Sequence, residues 1–308
     1  MPSGNFTADR RFSYAQALRQ EGDSAAAVEM MIQVLELVPD WAEGLFALGE
    51  MLMEAGGSED ALGAFRAYLA ADPADSMGAT LRLNLLAGTT VTTSMPEAYV
   101  RRLFDEYAPR FDSALTGGLK YRAPALLRDA IEAAVPGRRF TRTLDLGCGT
   151  GLAGKALRDL TVWLGGADLS PGMIKAAVAK NIYDHLAVMD MTLALRNQSL
   201  PCDLIVAADS FVYLGDLAPV MTAARTALAD TGILAFTVQR HDGEHYKFGR
   251  EQRFSNSYGY ISAVSEEAGF IIVASSDTFY RQEKGIDVPG LVFVMRPTPA
   301  NPAVGPML

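Results

Sequence analysis

The segment LDLGCGTGLAG, residues 144–154, constrains the fold of this chain more than any other. An apolar run leads into it, a helical pattern follows it, and Gly147, Gly149 and Gly151 lie between the two. Glycine lets a backbone turn tightly and approach a ligand closely. We therefore expect a strand, a tight ligand-binding turn and a helix in succession.

Two ligand-binding patterns fit these letters. Gly149, Gly151 and Gly154 have the G-x-G-x-x-G spacing of dinucleotide-binding loops, which is weak evidence when it stands alone. Asp145 with Gly147, Gly149 and Gly151 instead forms D-x-G-x-G-x-G, the loop of methyltransferases that use S-adenosylmethionine. Only the second pattern gives Asp145 a function, because a carboxylate there can hold the cofactor's ammonium group, directly or through the loop.

From Arg142 onward, short apolar runs alternate with helical patterns, which predicts an α/β fold with a mostly parallel sheet covered by helices. Asp168 ends the second predicted strand, where a carboxylate can accept hydrogen bonds from the ribose of either cofactor. The last two runs are joined by a short segment with Gly and Pro, which predicts a hairpin and one antiparallel strand. The predicted strands are 142–147, 161–167, 185–189, 203–208, 231–239, 270–280 and 289–296, and the predicted helices lie near 152–159, 171–180, 217–229 and 257–268.

Residues 1–88 have helical patterns and contain a repeat of 34 residues. The residues that recur at this spacing are Pro39 and Pro73, Ala27 and Ala61, Met31 and Phe65, Leu35 and Leu69, Leu18 and Leu52, and Ala15 and Gly49. Small residues let the helices of a hairpin approach, and proline ends the second helix. The segment resembles tetratricopeptide repeats, best over 41–73, and 75–86 is expected to supply a further helix.

Composition and charge exclude several classes of function. The net charge is −9, and residues 1–88 account for −8 of it with five Arg, no Lys and thirteen acidic residues. Neither part has the basic surface of a nucleic-acid-binding protein. We interpret the acidic segment as a solvated helical surface; the alternative is a docking face for a basic protein partner.

The expected location is the cytoplasm, without membrane association. No apolar run approaches the ~18–20 residues of a membrane span, and the opening MPSGNFTADRRF lacks the apolar core of a secretory signal. Cys148 and Cys202 make no disulfide framework.

Three later segments favour the methyltransferase pattern. VMD at 188–190 follows the third predicted strand, CDLIVAADSFVYL at 202–214 places an Asp209 turn after the fourth, and the final hairpin is absent from the ordinary dehydrogenase sheet. With the glycine loop, they resemble class I S-adenosylmethionine-dependent methyltransferases over about 95–297. The runs FDEYAPRFDSALTGGLKYRAPALL, GADLSPGMI and AADSFVYLGDL resemble the bacterial predicted methyltransferases that carry a tetratricopeptide region.

This resemblance implies a Rossmann-like domain organisation and a set of site residues. The expected parts are a helical domain 1–88, a linker and helical lid 89–141, a catalytic domain 142–297 and a tail 298–308. Asp168 would bind the ribose, Asp190 would contact adenine, and Asp209 would face the methyl group. The residues implied for S-adenosylmethionine, and for its product S-adenosylhomocysteine, are Asp145, Gly147, Cys148, Gly149, Gly151, Asp168, Leu169, Met173, Asp190, Met191 and Tyr107. The implied lid aromatics are Tyr99, Phe104, Tyr107, Phe111 and Tyr121.

Catalytic candidates beyond Asp209 are His241 and His245, which lie just after the fifth predicted strand, at the substrate-facing rim of such a fold. Either could act as a base or bind substrate; the competing interpretation is a solvated loop. We expect no metal, because Gly243 breaks the helix that would aim both imidazoles at one ion. Further rim candidates are Arg250, Arg253, Asn256 and Tyr258.

The leading hypothesis is a small-molecule methyltransferase whose acceptor is oxygen, nitrogen or carbon. The turn 209–212 reads DSFV and lacks the Pro-Pro-aromatic pattern of enzymes that methylate DNA adenine or glutamine nitrogen. Three alternatives stay open: a protein acceptor recruited by the repeats, a non-catalytic scaffold of the same fold, and a nicotinamide oxidoreductase.

Overall fold

The computed structural model describes residues 2–88, 92–115, 120–283 and 285–299. The chain divides into two compact units, residues 1–100 and 101–308. Residues 116–119 of the predicted helical lid and residues 300–308 of the predicted tail 298–308 lie outside the described residues.

The first unit is helical, as predicted. Its helices are α1 (Phe6–Glu21), α2 (Ser24–Leu37), α3 (Ala42–Glu54), α4 (Ser58–Ala71) and α5 (Ala79–Ala87), and each packs on the next. Asn5 caps α1 by accepting from the Thr7 and Ala8 amides, and Gly22 ends it in a left-handed conformation with φ 87°. The short turns that result place successive helices side by side.

Residues 34 apart occupy matching buried positions in this unit. Ala27 of α2 and Ala61 of α4 are fully buried, and so are Met31 and Phe65 one turn further on. Gly49 of α3 packs directly on Phe65, since a Cβ at Gly49 would lie 2.6 Å from the Phe65 ring. The repeat in the sequence therefore corresponds to a repeat in the packing.

Alanine substitutions at two glycines of this unit should change the free energy of unfolding in opposite directions. Gly49→Ala should lower the free energy of unfolding by about 1–3 kcal/mol, because the new methyl group overpacks against Phe65. Gly63 lies on α4 with no atom of the described residues near the position of an added Cβ. Gly63→Ala should therefore raise the free energy of unfolding by about 0.5–1 kcal/mol, because alanine has the higher helix propensity. Urea unfolding followed by far-ultraviolet circular dichroism measures both. Equal effects of the two substitutions would contradict this packing.

The described part of the second unit contains a nine-stranded sheet. Its strands are β1 (Phe140–Leu146), β2 (Thr161–Asp168), β3 (His185–Val188), β4 (Cys202–Ala207), β5 (Leu228–Arg240), β6 (Tyr246–Phe248), β7 (Phe254–Asn256), β8 (Phe270–Glu283) and β9 (Ile286–Pro297). The order is β3-β2-β1-β4-β5-β7-β6, with β9 paired to β5 and β8 to β9. The first five strands are mutually parallel, and β9 is antiparallel to both β5 and β8, which confirms the predicted sheet and hairpin.

Eight helices complete the described chain from residue 97 onward. They are α6 (Glu97–Tyr107), α7 (Phe111–Ser113), α8 (Ala123–Ala134), α9 (Leu152–Leu157), α10 (Pro171–Ala179), α11 (Met191–Arg196), α12 (Ala218–Ala227) and α13 (Tyr258–Glu267). The four predicted helices are present within a few residues of their expected bounds. Three short elements, α11, β6 and β7, were not predicted.

The sheet has a hydrophobic core on each face. Along β4, Leu204 and Val206 belong to the core that includes Leu127 of α8, whereas Ile205 belongs to the core that includes Met221 of α12. Successive side chains of a strand point to opposite faces, so a strand buried on both faces is apolar throughout. In the described ranges, no helix combines the length and apolarity needed to cross a membrane.

Candidate functional site

The predicted strand, turn and helix are present at the glycine loop. The backbone leaves β1 after Leu146, turns through Gly147 and Gly151 with φ 64° and 93°, and enters α9 at Leu152. A Cβ at Gly147 would lie 2.5 Å from the Cβ of Ser210. Other residues rarely adopt these φ angles, and the space beside Gly147 is filled, so the loop requires glycine.

Hydrogen bonds fasten this loop to the end of β2. The Cys148 amide donates to the Ala167 carbonyl at 3.0 Å, and the Gly149 amide donates to Asp168 Oδ2 at 2.9 Å. The other carboxylate oxygen of Asp168 accepts from the Ser170 amide, also at 2.9 Å. Burial raises the pKa of Asp168, and the two amides counteract that rise. Asp168, the residue predicted to bind the ribose, therefore lies against the glycine loop.

Asp145 is completely buried beneath the loop. Its Oδ2 accepts from the Tyr183 hydroxyl at 2.6 Å, while its Oδ1 has no hydrogen-bond partner within the described ranges. Burial raises the pKa of Asp145 to about 7, and the bond from Tyr183 and the nearby Gly154 amide counteract part of that rise. A buried carboxylate oxygen without a partner is costly, so this atom suits a cationic or hydrogen-bonding ligand group.

Tyr183 is a site residue that the sequence analysis missed. Besides binding Asp145, it packs against three glycines: a Cβ at Gly151, Gly154 or Gly166 would lie within 3 Å of its side chain. It follows α10 in a stretch without a recognisable motif, so no sequence signal pointed to it.

Three of the predicted lid aromatics gather at the loop. Phe111 lies over Gly149, where a Cβ would be 3.7 Å from its ring, and contacts Phe104 and Tyr107 with centroid distances of 6.2 and 5.4 Å. The neighbouring Asp112 accepts from the hydroxyl of loop residue Thr150 and pairs with Lys180 at 2.5 Å. Polar and aromatic contacts thus hold residues 104–113 on the loop.

The other two aromatics lie elsewhere. Tyr99 belongs to the first unit, where its ring would contact a Cβ at Gly78 at 2.9 Å. Tyr121 is placed beside the Asp209 turn, with its hydroxyl 3.4 Å from the Ala208 carbonyl oxygen.

The remaining predicted cofactor residues lie around the same strand ends. Met173 is fully buried in α10, Leu169 is half-buried, and Met191 packs against the sheet core. Asp190 caps α11, because its Oδ1 accepts from the Thr192 and Leu193 amides. That cap is a structural function the sequence analysis did not assign, and adenine binding by Asp190 stays a prediction.

Asp209 turns the chain sharply after β4. It has a φ of 54°, and its amide donates to the Thr237 hydroxyl at 2.8 Å. Its Oδ1 accepts from Arg281 Nη1 at 2.7 Å. The carboxylate predicted to face the methyl group is therefore held in an ion pair with a buried arginine.

Arg281 is only 2% exposed, and its guanidinium is saturated. Nη1 donates to Asp209 and to the Tyr280 hydroxyl, Nη2 to Gln239 Oε1 and Glu283, and Nε to Glu283. A buried charge requires such partners. In the sequence, Arg281 is distinguished only as a cation within the predicted final hairpin, so its function could not be inferred there.

His241 and His245 are not joined to this cluster by any hydrogen bond or ring contact of the described residues. His241 Nδ1 accepts from the Gly243 amide at 2.9 Å, and burial and the nearby Lys247 lower the pKa of its imidazole. His245 lies 6.5 Å from the Tyr260 ring. Their catalytic function stays a prediction. No three metal-ligating side chains come together in the described parts of the chain.

Part of the second unit is similar in sequence to known methyltransferases. Residues 144–234 match the family model described as "Methyltransferase domain". The chain is 39% identical over 87 residues to methyltransferase-like protein 27 of Homo sapiens, covering 28% of this chain and 35% of that protein. It is 32% identical over 114 residues to malonyl-[acyl-carrier protein] O-methyltransferase of Enterobacter lignolyticus, covering 37% of this chain and 45% of that protein. The matches thus span less than half of either relative.

One solved structure shares the fold over most of its length. The 1,6-didemethyltoxoflavin-N1-methyltransferase of Burkholderia thailandensis superposes with a TM-score of 0.54 and 15% identity, covering 68% of this chain and 94% of that one. The second unit therefore has the Rossmann-like sheet of a methyltransferase fold, and residues 144–234 within it match a methyltransferase domain.

The buried Asp145 predicts a pH dependence of stability. Its native pKa of about 7 exceeds the usual value of 3.8, so the native state keeps a proton that the unfolded state has lost between those pH values. The contribution of protonated Asp145 to the free energy of unfolding is fully present below about pH 4 and is lost as the pH rises to about 7. Asp145→Asn should flatten that fall.

Urea unfolding of the cofactor-free protein at pH 5 and pH 8 measures this effect. Asp230→Asn is the control, because that side chain is 91% exposed and should leave the pH dependence unchanged. An Asp145→Asn protein with the same loss of stability as the unsubstituted chain would show that Asp145 does not titrate in this range.

Proposed function

We propose that this chain transfers a methyl group from S-adenosylmethionine to a small molecule. The observation that carries the proposal is the loop at the end of β1, where Asp145 presents a buried, unpartnered Oδ1 beside glycines in left-handed conformations. An oxidoreductase would give that carboxylate no ligand group to bind.

The residues present fit the cofactor. Asp145 Oδ1 would accept from the cofactor's ammonium group, and Asp168 would accept from the ribose hydroxyls while keeping its bonds to the loop. Phe111 would cover the glycine loop and exclude water. When bound, S-adenosylmethionine supplies a methyl group already activated on a sulfonium.

Catalysis would then consist mainly of alignment and exclusion of water. Asp209 would orient the acceptor through the turn after β4, because Arg281 holds its carboxylate in place through Oδ1. An acceptor that is already deprotonated needs no general base. An acceptor that must lose a proton would require His241 or His245 to approach it and accept that proton.

The relatives favour a small acceptor but differ in the acceptor atom. The Enterobacter protein is named for oxygen methylation of a malonyl group on a carrier protein, and the Burkholderia structure holds 1,6-didemethyltoxoflavin with S-adenosylhomocysteine and is named for nitrogen methylation. A compact acceptor group is common to both.

We further propose that residues 1–88 form a tetratricopeptide-like array, on the support of the buried pairs 34 apart. Its acidic surface would suit a basic protein partner. A reducing compartment such as the cytoplasm would suit Cys148 and Cys202, both buried and free.

The first experiment is calorimetric titration of the purified chain with S-adenosylhomocysteine, NAD and NADP. Binding of S-adenosylhomocysteine alone is the expected result. Asp145→Ala should weaken that binding about 10- to 100-fold, the size expected for loss of a hydrogen bond to a charged group. Asp230→Ala, at an exposed position, should leave it unchanged.

Binding of a nicotinamide nucleotide alone would replace this proposal with an oxidoreductase. Failure of all three ligands to bind would favour a non-catalytic scaffold. Unchanged affinity in Asp145→Ala would refute the function assigned to that residue while leaving the cofactor intact.

A further inference from the structure

A second arginine lies beside the Asp209 turn with its donors unused. Arg253 directly precedes β7, and its Nη1 is 3.8 Å from Asp209 Oδ2 while its Nε is 3.7 Å from Glu283 Oε1. Both separations exceed hydrogen-bond distance. Nη1 is buried and has no hydrogen-bond partner in the described ranges. The guanidinium is thus attracted to its neighbours but bonded to none of them.

Arg281 shows by contrast how this cluster satisfies a structural cation. It takes the nearest oxygens of Asp209 and Glu283, together with Tyr280 and Gln239. Each of those acids is therefore already bonded to Arg281 through one oxygen, and Arg253 Nη1 has no hydrogen-bond acceptor among the described residues. Its side chain is 24% exposed, against 1% for Arg281, so a ligand can reach it.

Two short series of contacts connect Arg253 to the glycine loop. Its guanidinium lies 5.5 Å from the ring centre of Tyr213, which packs at 5.2 Å on Phe104 of the aromatic group over the loop. On the other side, Asp209 is followed by Ser210, whose Cβ fills the space at Gly147. Arg253 therefore lies at the acceptor side of the proposed cofactor site.

Ser255 adds a second unused donor. Its hydroxyl is buried and has no hydrogen-bond partner among the residues described. It is two positions beyond Arg253, and residues two apart in an extended chain lie on the same face. Its strand partner is Gln239, the residue that binds Arg281.

We propose that the methyl acceptor carries a carboxylate, which Arg253 binds. This inference rests on the proposed methyltransferase function and names the class of its substrate. A guanidinium is always charged and presents parallel N–H groups that match the two oxygens of a carboxylate. The bound group would supply the acceptors that Arg253 lacks.

The surrounding charges favour a monoanion. Among the described residues, Asp209 and Glu283 offset the charge of the two arginines, so the cluster has no excess positive charge to offset a second negative charge on a ligand. A carboxylate adds one such charge, whereas a phosphate monoester adds nearly two.

The test uses the full chain saturated with S-adenosylhomocysteine. Ligand-detected NMR measures binding of matched pairs, benzoate with benzamide and butyrate with butyramide, and of phenyl phosphate. We expect at least one acid to bind more tightly than both its amide and the phosphate. Arg253→Met should weaken that binding at least about 10-fold, and Arg253→Lys should restore part of it.

Arg296→Met is the matched control, because Arg296 is an exposed arginine of β9 that does not belong to the candidate site. It should leave acid binding unchanged, and all three variants should keep the affinity for S-adenosylhomocysteine, which shows that they fold. Absence of any preference for an acid, or undiminished acid binding in Arg253→Met, overturns this inference alone. Absence of S-adenosylhomocysteine binding in the unsubstituted chain overturns the methyltransferase proposal and this inference with it.

Discussion

The hydrogen bonds that fasten the glycine loop to the end of β2 are the interaction on which the site depends. With the Cys148 amide on Ala167 and the Gly149 amide on Asp168, the loop must turn back over the carboxyl edge of β1. Along that path Tyr183 and Ser210 pack against the glycines, so the loop has no space for side chains at those positions. The same packing shields Asp145 from solvent. The raised pKa of Asp145 and its unpartnered oxygen are consequences of this one attachment.

At the end of β4, an ion pair between Asp209 and Arg281 holds the turn in place. Arg281 is buried and pairs with the half-buried Asp209. A buried charge is tolerated only when its remaining polar atoms are bonded as well. Arg281 meets that condition through Tyr280, Gln239 and Glu283. Arg253, which shares the same acids, does not. The difference separates an arginine that holds the turn in place from one that is available to a ligand.

Much of the fold was predictable, because its signals are local. The long strands and the hairpin have apolar runs and turn residues of their own, and each was predicted within a few positions. The short elements α11, β6 and β7 were missed, since three to six residues carry too little periodicity to distinguish them from a loop. Within the site, Asp145 and the glycines follow from one motif, and Asp168 follows from its position at the end of the second predicted strand. Tyr183 does not, because its contact with Asp145 joins residues 38 positions apart.

The sequence by itself determined the order of strands and helices, the glycine loop and the carboxylates at the ends of β1, β2 and β4. These depend on backbone conformation and on the alternation of apolar and polar residues, both of which are local properties. Only the tertiary structure decided which donors and acceptors meet. It placed Arg281 on Asp209 across 72 positions, left Arg253 Nη1 without a hydrogen-bond partner in the described part of the chain, and kept His241 and His245 out of that cluster. Burial and the pairing of distant strands set these contacts, and neither can be inferred from neighbouring residues along the chain.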